Sequence, residues 1–232
     1  MPTTPDRDRA LDQLLRLPVV ELAQRLLGWV LTHQTPEGVT AGIIVETEAY
    51  RGPEDQAAHS RNGRRTPRVR AMYGPAGHAY VFTIYGIHQC VNVVAGPVGV
   101  PHAVLLRALQ PVRGLELMAR RRGLKADARA QVAAWEAAMG PAVLRPWTGI
   151  PARPPQPVRL LTSGPARLTQ ALAVSQAQYG WSFRTSPLRL DPPPHPGPWP
   201  IRSGPRIGVE YAGAWSQKPW RFWIDGNPFV SR

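Results

Sequence analysis

The sequence predicts a single α+β domain built on an antiparallel or mixed sheet. Apolar runs of strand length follow one another with short turns between them, and one pair is separated by Gly86 alone. Consecutive strands joined by tight turns favour such a sheet over parallel strands with crossover helices. The length of 232 residues and a hydrophobic content of 43% fit one domain with a substantial core.

The first half of the chain predicts one helix and five strands. An apolar stripe over residues 18–28, ended by Gly28, predicts the helix. The turn residues Thr35-Pro-Glu-Gly38 join the first two strands, and Gly86 joins the third and fourth. Runs rich in β-branched and aromatic residues predict strands at 29–32, 39–50, 78–85, 87–94 and 102–109.

The second half predicts helices and the closing part of the sheet. Apolar periodicity indicates helices near 112–122, 127–139 and 165–178, and two or three strands are expected after residue 180. Proline-rich stretches at 141–157 and 187–200 indicate long surface connections. Residues 1–17 are interpreted as an N-terminal tail, which leaves 18–232 as the domain.

The charge balance is strongly basic. Lys and Arg number 28 against 15 Asp and Glu, and the formal net charge is +13. All the basic residues except Lys125 and Lys218 are arginine, whose planar guanidinium binds phosphate through two hydrogen bonds. Nucleic acid is therefore the first partner to expect.

Several classes of protein are excluded by simple counts. The start of the chain has no apolar core of a signal peptide, and no uninterrupted apolar stretch of spanning length exists. One cysteine, Cys90, rules out an internal disulfide or a four-cysteine zinc site, and the six His show no metal-binding spacing. We expect a cytoplasmic, bacterial-type protein that is monomeric, works on the nucleoid, binds no membrane and needs no cofactor or metal.

Three polar residues share one face of the strand at 39–50. Strand alternation places Glu46, Glu48 and Tyr50 on the same side, among Ile and Val. One interpretation is a pocket wall that carries a general base. The other is the solvent-facing side of an edge strand, where glutamates are common.

Aromatic residues cluster where the third and fourth strands meet. Tyr80 and Phe82 share a face, and Tyr85 lies beside the turn at Gly86. On a basic protein, Tyr85 could enter a base stack as a wedge and Phe82 could stack on a base. The alternative is that all three rings belong to the sheet core.

Two further features allow either a functional or a structural interpretation. Cys90 lies in an apolar strand, where a thiol is more often a core residue than a nucleophile. The run Arg120-Arg121-Arg122 ends a predicted helix, where it either complements the helix dipole or contacts phosphate.

Eight segments in one order resemble the alkyladenine (3-methyladenine) DNA glycosylase family. They run from about residue 20 to the C-terminus and leave only the proline-rich stretches unmatched. The segments are VETEAYRGPEDQAAHS at 45–60, YVFTIYG at 80–86, CVN at 90–92, VLLRAL at 104–109, GPARLTQAL at 164–172, RIGVEYAG at 206–213, KPWRFW at 218–223 and GNPFVS at 226–231.

This resemblance implies a curved antiparallel sheet with surrounding helices, a protruding hairpin and a base-excision activity. A damaged purine in double-stranded DNA would be flipped out and its N-glycosidic bond hydrolysed, leaving an abasic site. The resemblance gives Glu48 the role of activating water and Arg107 that of helping to hold the water. It gives Tyr85 the role of filling the gap that the flipped base leaves in the duplex. Tyr50, His59 and Phe82 would sandwich the flipped base. Asn92 would lie beneath it and obstruct the exocyclic amine of guanine.

The resemblance also bears on the lesions and on the contacts with the DNA backbone. The family often has Tyr where Phe82 stands, and the residue at Ile87 varies, so the lesion range is not fixed. The expected lesions are 3-methyladenine and 7-methylguanine, with hypoxanthine and ethenoadenine as further candidates. Arginines of the basic connection are expected to contact the DNA backbone: Arg64, Arg65 and Arg68. Glu46 is either a partner of Arg107 or a solvated carboxylate.

Two other functions compete with base excision. One is a non-enzymatic module that marks distorted DNA, against which Glu48 speaks because a carboxylate weakens binding to phosphate. The other is an O-glycoside hydrolase that uses Glu46 and Glu48 as an acid and base pair. A monofunctional glycosylase is favoured over one with lyase activity, because neither Lys125 nor Lys218 lies in a pocket motif.

Overall fold

An antiparallel sheet forms the centre of the molecule. A computed structural model describes residues 4–139, 153–194 and 197–231. The strands of these residues are β1 Val30–Thr35, β2 Gly38–Arg51, β3 Ala79–Ile84, β4 His88–Ala95, β5 His102–Arg113, β6 Leu188–Asp191, β7 Ile201–Gly204 and β8 Arg221–Ile224. They form one eight-stranded sheet in the order β3-β4-β5-β2-β1-β6, with β8 paired to β2 and β7. The predicted α+β class is confirmed.

Helices pack around this sheet. Their bounds are α1 Thr4–Leu15, α2 Val19–Arg25, α3 Leu115–Arg121, α4 Ala126–Met139, α5 Gln156–Arg159 and α6 Pro165–Leu172, with 3-10 turns at Arg61–Gly63, Pro67–Tyr73, Gln176–Gln178 and Glu210–Gln217. The helix predicted at 112–122 begins only at Leu115, because β5 continues to Arg113. The helix predicted at 165–178 divides in two after Leu172, where Ala173 adopts a left-handed conformation with φ 54°. No helix in the described ranges is long and apolar enough to cross a membrane.

The N-terminal segment is part of the core, so its interpretation as a tail is wrong for residues 4–15. These residues form α1, and Leu11, Leu14 and Leu15 are buried in the main hydrophobic cluster. An ion pair of 2.7 Å between Asp12 and Arg184 fixes the outer side of the helix. The apolar spacing of the three leucines is the signal for this helix.

The proline-rich stretches have different outcomes. Residues 141–152 of the first lie outside the described residues, and its last part contains the short helix α5. The second is not only a surface connection, because it contains β6. Leu188 and Leu190 of β6 are buried, and the strand pairs with β1.

Strand β2 lies inside the sheet, so the interpretation of its polar face as a solvent-facing edge is wrong. Along one side it pairs with β5 from Ala41 to Arg51. Its other side pairs first with β1 and then with β8, which takes over at Glu46–Glu48. The glutamates of β2 are therefore enclosed by strands on both sides.

Strands β3 and β4 form a hairpin that ends in an exposed tip. Ile84 pairs with His88, and the three residues between them make the turn. Tyr85 and Gly86 have φ values of 49° and 73°, the left-handed conformation that such a tight reversal requires. This backbone geometry turns the Tyr85 side chain away from the sheet, and the side chain is 89% exposed.

Candidate active site

A cavity of about 400 Å³ opens between the β3–β4 hairpin and the segment around Ile207. Strands β2 to β5 supply its inner wall, and residues 57–59 and 207–211 supply the opposite side. Most of the predicted site residues line it, namely Tyr50, His59, Arg68, Phe82, Tyr85, Asn92 and Arg107. The fold therefore brings together residues that are as distant in the sequence as Tyr50 and Arg107.

Glu48 lies directly behind this wall and is fully buried. The Tyr50 hydroxyl donates to its Oε2 over 2.8 Å, and the Ile207 backbone N–H donates to its Oε1 over 2.8 Å. Arg107 Nη1 lies 3.1 Å from Oε1. Three residues that line the cavity thus hold the carboxylate.

Burial sets the proton affinity of Glu48. Removal from water raises the pKa of this carboxyl above its ordinary value, although Arg107 and the hydrogen bonds from Ile207 and Tyr50 lower it. The nearby Glu46 raises it further. A buried carboxylate with a raised pKa is a stronger proton acceptor than an exposed one, as a general base requires.

Glu46 is a buried partner of Arg107 and not a solvated carboxylate. Arg107 Nε donates to Glu46 Oε1 over 2.9 Å, and Arg221 Nη1 donates to the same oxygen over 3.2 Å. The Ser231 backbone N–H donates to Oε2 over 2.7 Å. Buried charges are stable only when paired and hydrogen-bonded in this way. Glu46 therefore fixes the orientation of Arg107.

The pocket wall contains closely packed rings. The rings of His59 and Phe82 meet edge to face with centroids 4.5 Å apart, and Tyr80 lies 5.4 Å from Phe82. His59 Nδ1 is 2.8 Å from the Tyr80 hydroxyl. Burial and the arginines Arg68 and Arg61 lower the pKa of His59 to about 4, so its ring is neutral at pH 7. Tyr80 itself is buried and belongs to the core, whereas the Tyr85 side chain is 89% exposed, so the alternative that all three rings belong to the sheet core is wrong.

Asn92 and Cys90 form the β4 part of the wall. Asn92 is buried, and its Nδ2 donates to the Tyr80 carbonyl over 2.9 Å, which fixes the orientation of its side chain. Cys90 is also buried, and burial raises the pKa of its thiol to about 12. The thiol is therefore protonated at neutral pH, which supports the interpretation of Cys90 as a packing residue.

The three arginines expected to contact DNA lie on the protein surface. Arg64, Arg65 and Arg68 are exposed. The Arg68 guanidinium donates to the Thr83 carbonyl over 3.2 Å and lies 5.4 Å from the Phe82 ring centroid. Arg65 lies over the Tyr73 ring at 4.0 Å. Of these three arginines, Arg68 lines the cavity together with Tyr85, whereas the described contacts of Arg64 and Arg65 are to Tyr73.

The run Arg120–Arg122 makes contacts within the protein. Arg120 lies 3.8 Å from Glu116 one helical turn away, and Arg122 donates to Gln170. The Arg121 side chain is 8% exposed, pairs with Glu37 and donates to Thr35 over 2.6 Å. Arg121 is thus too enclosed to contact phosphate.

Two residues next to the site were not predicted. Asp55 and Arg206 form an ion pair in which both side chains are fully enclosed. Both lie in segments that carry the family resemblance, yet nothing in the sequence pairs them, because 151 positions separate them. The Ile207 N–H was also not predicted, since a backbone donor leaves no signal in residue type.

A buried carboxylate behind an aromatic cavity, in a basic protein with an exposed aromatic hairpin tip, is the arrangement expected of an enzyme that acts on a nucleobase. The sequence model of the family described as methylpurine-DNA glycosylase (MPG) matches residues 13–228. The chain therefore belongs to the methylpurine-DNA glycosylase family.

Bacterial relatives support this assignment. A protein of Bacillus licheniformis (strain ATCC 14580) is 41% identical over 215 residues, which cover 93% of this chain and 92% of the relative. Proteins of Bacillus cereus (strain G9842) and Bacillus anthracis (strain CDC 684) are each 39% identical over 218 residues, covering 92% of this chain and 94% of each relative. All three are provisionally named 3-methyladenine DNA glycosylases.

Proposed function

We propose that this protein removes alkylated purines from double-stranded DNA by flipping the damaged nucleotide into the cavity and hydrolysing its N-glycosidic bond. The observation that carries the proposal is Glu48, held by Tyr50, Ile207 and Arg107 immediately behind the aromatic wall. The reaction consumes one water and leaves an abasic site and a free purine.

In the proposed step, Glu48 accepts a proton from the water that attacks the C1′ carbon of deoxyribose. The bond between C1′ and the purine nitrogen breaks, and its electron pair leaves with the base. Positive charge develops on the sugar, so the nearby carboxylate also lowers the barrier electrostatically. Arg107, fixed by Glu46 at 2.9 Å, would orient the water.

The charge of the leaving base decides which lesions react easily. 3-Methyladenine and 7-methylguanine carry a positive charge in DNA and need no acid to leave. Neutral hypoxanthine or ethenoadenine needs a hydrogen bond to the departing ring. The His59 backbone N–H is a candidate donor, because it has no hydrogen-bond acceptor within the described ranges.

Flipping requires compensation for the lost base stacking. Extruding a base costs a few kcal/mol. Stacking on an aromatic side chain returns about 1–3 kcal/mol per contact. Tyr50, His59 and Phe82 would supply these contacts to the flipped base, and Tyr85 would fill the gap in the duplex.

The O-glycoside hydrolase alternative is disfavoured by Arg107. An acid and base pair needs two carboxyls that act on the substrate, but the Glu46 oxygens accept from Arg107, Arg221 and the Ser231 N–H and so fix Arg107 instead. Non-catalytic binding of damaged DNA remains the main competing function, and an excision assay separates it from the proposal.

The proposal is tested with a duplex oligonucleotide that carries one hypoxanthine and with methylated DNA scored for released 3-methyladenine. Release of the methylated base, with an alkali-labile strand, supports the proposal; release of hypoxanthine as well adds neutral lesions to the range. Binding of both substrates without release of either base contradicts the proposal and favours the non-catalytic function.

A further inference from the structure

The ion pair between Asp55 and Arg206 is unusual in its degree of burial. Both side chains are 0% exposed, with Nη1 2.5 Å from Oδ2 and Nη2 2.9 Å from Oδ1. Removing two charges from water costs several kcal/mol per ion, which such geometry only approximately offsets. A buried pair is thus weak evidence for stability and calls for another explanation of its presence.

Arg206 contacts the back of the catalytic strand. Its Nη1 also donates to the Ala49 carbonyl over 2.9 Å, between Glu48 and Tyr50 in the chain. The guanidinium carbon lies 4.8 Å from the centroid of the Tyr50 ring and 5.2 Å from that of Trp220. Arg206 therefore fixes the plane of the Tyr50 ring, whose hydroxyl donates to Glu48.

Asp55 fixes the segment that leads to His59. Its carboxylate accepts hydrogen bonds from the backbone N–H groups of Arg51 and Ala57, each over 3.0 Å. Together with the two bonds from Arg206, these contacts hold the loop against the end of β2. The loop then continues directly to His59 in the cavity wall.

Arg206 also determines the position of the next residue. Ile207 follows it in the chain, and the Ile207 N–H donates to Glu48 Oε1. The two neutral donors that hold Glu48 are therefore both placed by Arg206, one through ring stacking and the other through the backbone. Arg107 holds Glu48 independently from β5.

We infer that Asp55 and Arg206 are positioning residues for Glu48, which hold the Tyr50 hydroxyl and the Ile207 N–H against its two oxygens. The inference rests on the proposed function, in which Glu48 is the general base. Loss of these donors would leave the charged carboxylate less stabilised, so that Glu48 would hold its proton to a higher pH. The pair acts through Tyr50 and Ile207 and not by direct contact with the substrate.

The other charged and titratable groups around Glu48 stay in place when the pair is altered. Arg107 faces it from β5, Glu46 lies on its own strand, and Cys90 lies across the cavity on β4. Arg221 of β8 bonds to Glu46 on its far side. A change in the titration of Glu48 would thus report the two donors that Arg206 positions.

The test compares Arg206→Lys with a matched control, Arg121→Lys. Arg121 is also an enclosed arginine that pairs with an acidic residue, Glu37, and donates further hydrogen bonds, but it is not among the residues that line the cavity. The assay is single-turnover excision of 7-methylguanine from duplex DNA as a function of pH, with thermal unfolding and DNA affinity measured in parallel. Both variants are expected to unfold at a lower temperature.

Only Arg206→Lys is expected to move the acidic limb of the rate profile. We expect a shift of about one pH unit to higher pH, and excision about tenfold slower on that limb, with little change in DNA affinity. A limb that stays in place in the folded Arg206→Lys protein, as in Arg121→Lys, would show a merely structural pair and overturn the inference.

Asp55→Asn provides a second test that leaves Arg206 in the chain. The amide keeps the size of the side chain but presents an N–H₂ group where a carboxylate oxygen accepts, so we expect a shift in the same direction. An unmoved limb in this variant also contradicts the inference. Failure of the unaltered protein to excise any base contradicts the proposed function instead, so the two failures are distinguishable.

Discussion

Arg107 connects two buried glutamates of one strand: its Nε lies 2.9 Å from Glu46 Oε1 and its Nη1 lies 3.1 Å from Glu48 Oε1. The two carboxylates nevertheless differ in their surroundings. Glu46 bonds to Arg221 and Ser231 on the far side, whereas Glu48 is held by two further residues that line the cavity, Tyr50 and Ile207. This difference assigns Glu46 to the support of Arg107 and leaves Glu48 for the proposed chemistry.

The excision rate is expected to fall in acid with a midpoint above pH 4.5. Burial raises the pKa of Glu48 above its ordinary value of 4.5, and the base must be ionised to accept a proton. The rate therefore rises with pH through this raised pKa and levels off above it. Single-turnover excision of 7-methylguanine, measured across the acidic range, checks this. A midpoint at or below 4.5 would contradict the assignment of the limb to a buried Glu48.

Tyr85→Ala is expected to impair excision from duplex DNA and to spare excision from single strands. The exposed ring at the hairpin tip would fill the space that a flipped base leaves, and this space exists only in a duplex. We expect a loss of about tenfold or more on duplex DNA. Tyr85→Phe, which keeps the ring, serves as the control. Equal losses on both substrates would count against a wedge.

The polar face of β2 shows how much of the site can be predicted from the sequence. Strand alternation alone placed Glu46, Glu48 and Tyr50 on one side, and in the structure the Tyr50 hydroxyl donates to Glu48, as a shared side allows. The choice between a pocket wall and a solvent-facing edge could not be made from β2 itself. It depends on β8, which covers the second edge of β2 and lies more than 160 positions later in the chain.

Asn92→Ser is expected to release more undamaged guanine relative to 3-methyladenine. Asn92 lies buried in the cavity wall with its amide fixed by the Tyr80 carbonyl, where it would meet the exocyclic amine of guanine. The lost hydrogen bond costs about 1 kcal/mol of unfolding free energy. Bases released from undamaged DNA are measured, with the exposed Asn62→Ser as control. An unchanged ratio of the two bases would show that Asn92 does not discriminate.

Substitution of the exposed Arg64 or Arg65 is expected to reduce the salt dependence of DNA binding. Each phosphate contact that is lost lowers the slope of log affinity against log salt by about 0.9. We therefore expect a smaller slope for Arg64→Gln and for Arg65→Gln, measured by binding to undamaged duplex DNA. Arg113→Gln, at the end of β5 away from the cavity, is the control. A slope equal to that of the control would show that Arg64 and Arg65 do not contact the DNA backbone.

Other parts of the site depend on contacts that residue type does not reveal. The Ile207 N–H, the Ser231 N–H and the Asp55–Arg206 pair all join segments that are distant in the chain. By contrast, the helical spacing of Leu11, Leu14 and Leu15 could have predicted α1. The many polar residues around these leucines led to the interpretation of the segment as a tail. The resemblance to a family supplied the roles of single residues, which alternation and composition could not.

Glu48→Gln gives the most direct test of the proposed role of Glu48 as the general base. The substitution keeps the shape of the side chain and removes its capacity to accept a proton, so we expect DNA binding to persist and excision to be lost almost completely. Glu54→Gln, at an exposed carboxylate in the neighbouring loop, is the matched control and should retain full activity. The measurement is single-turnover release of 7-methylguanine from duplex DNA. Excision by Glu48→Gln at a rate close to that of the control would show that Glu48 is not the general base.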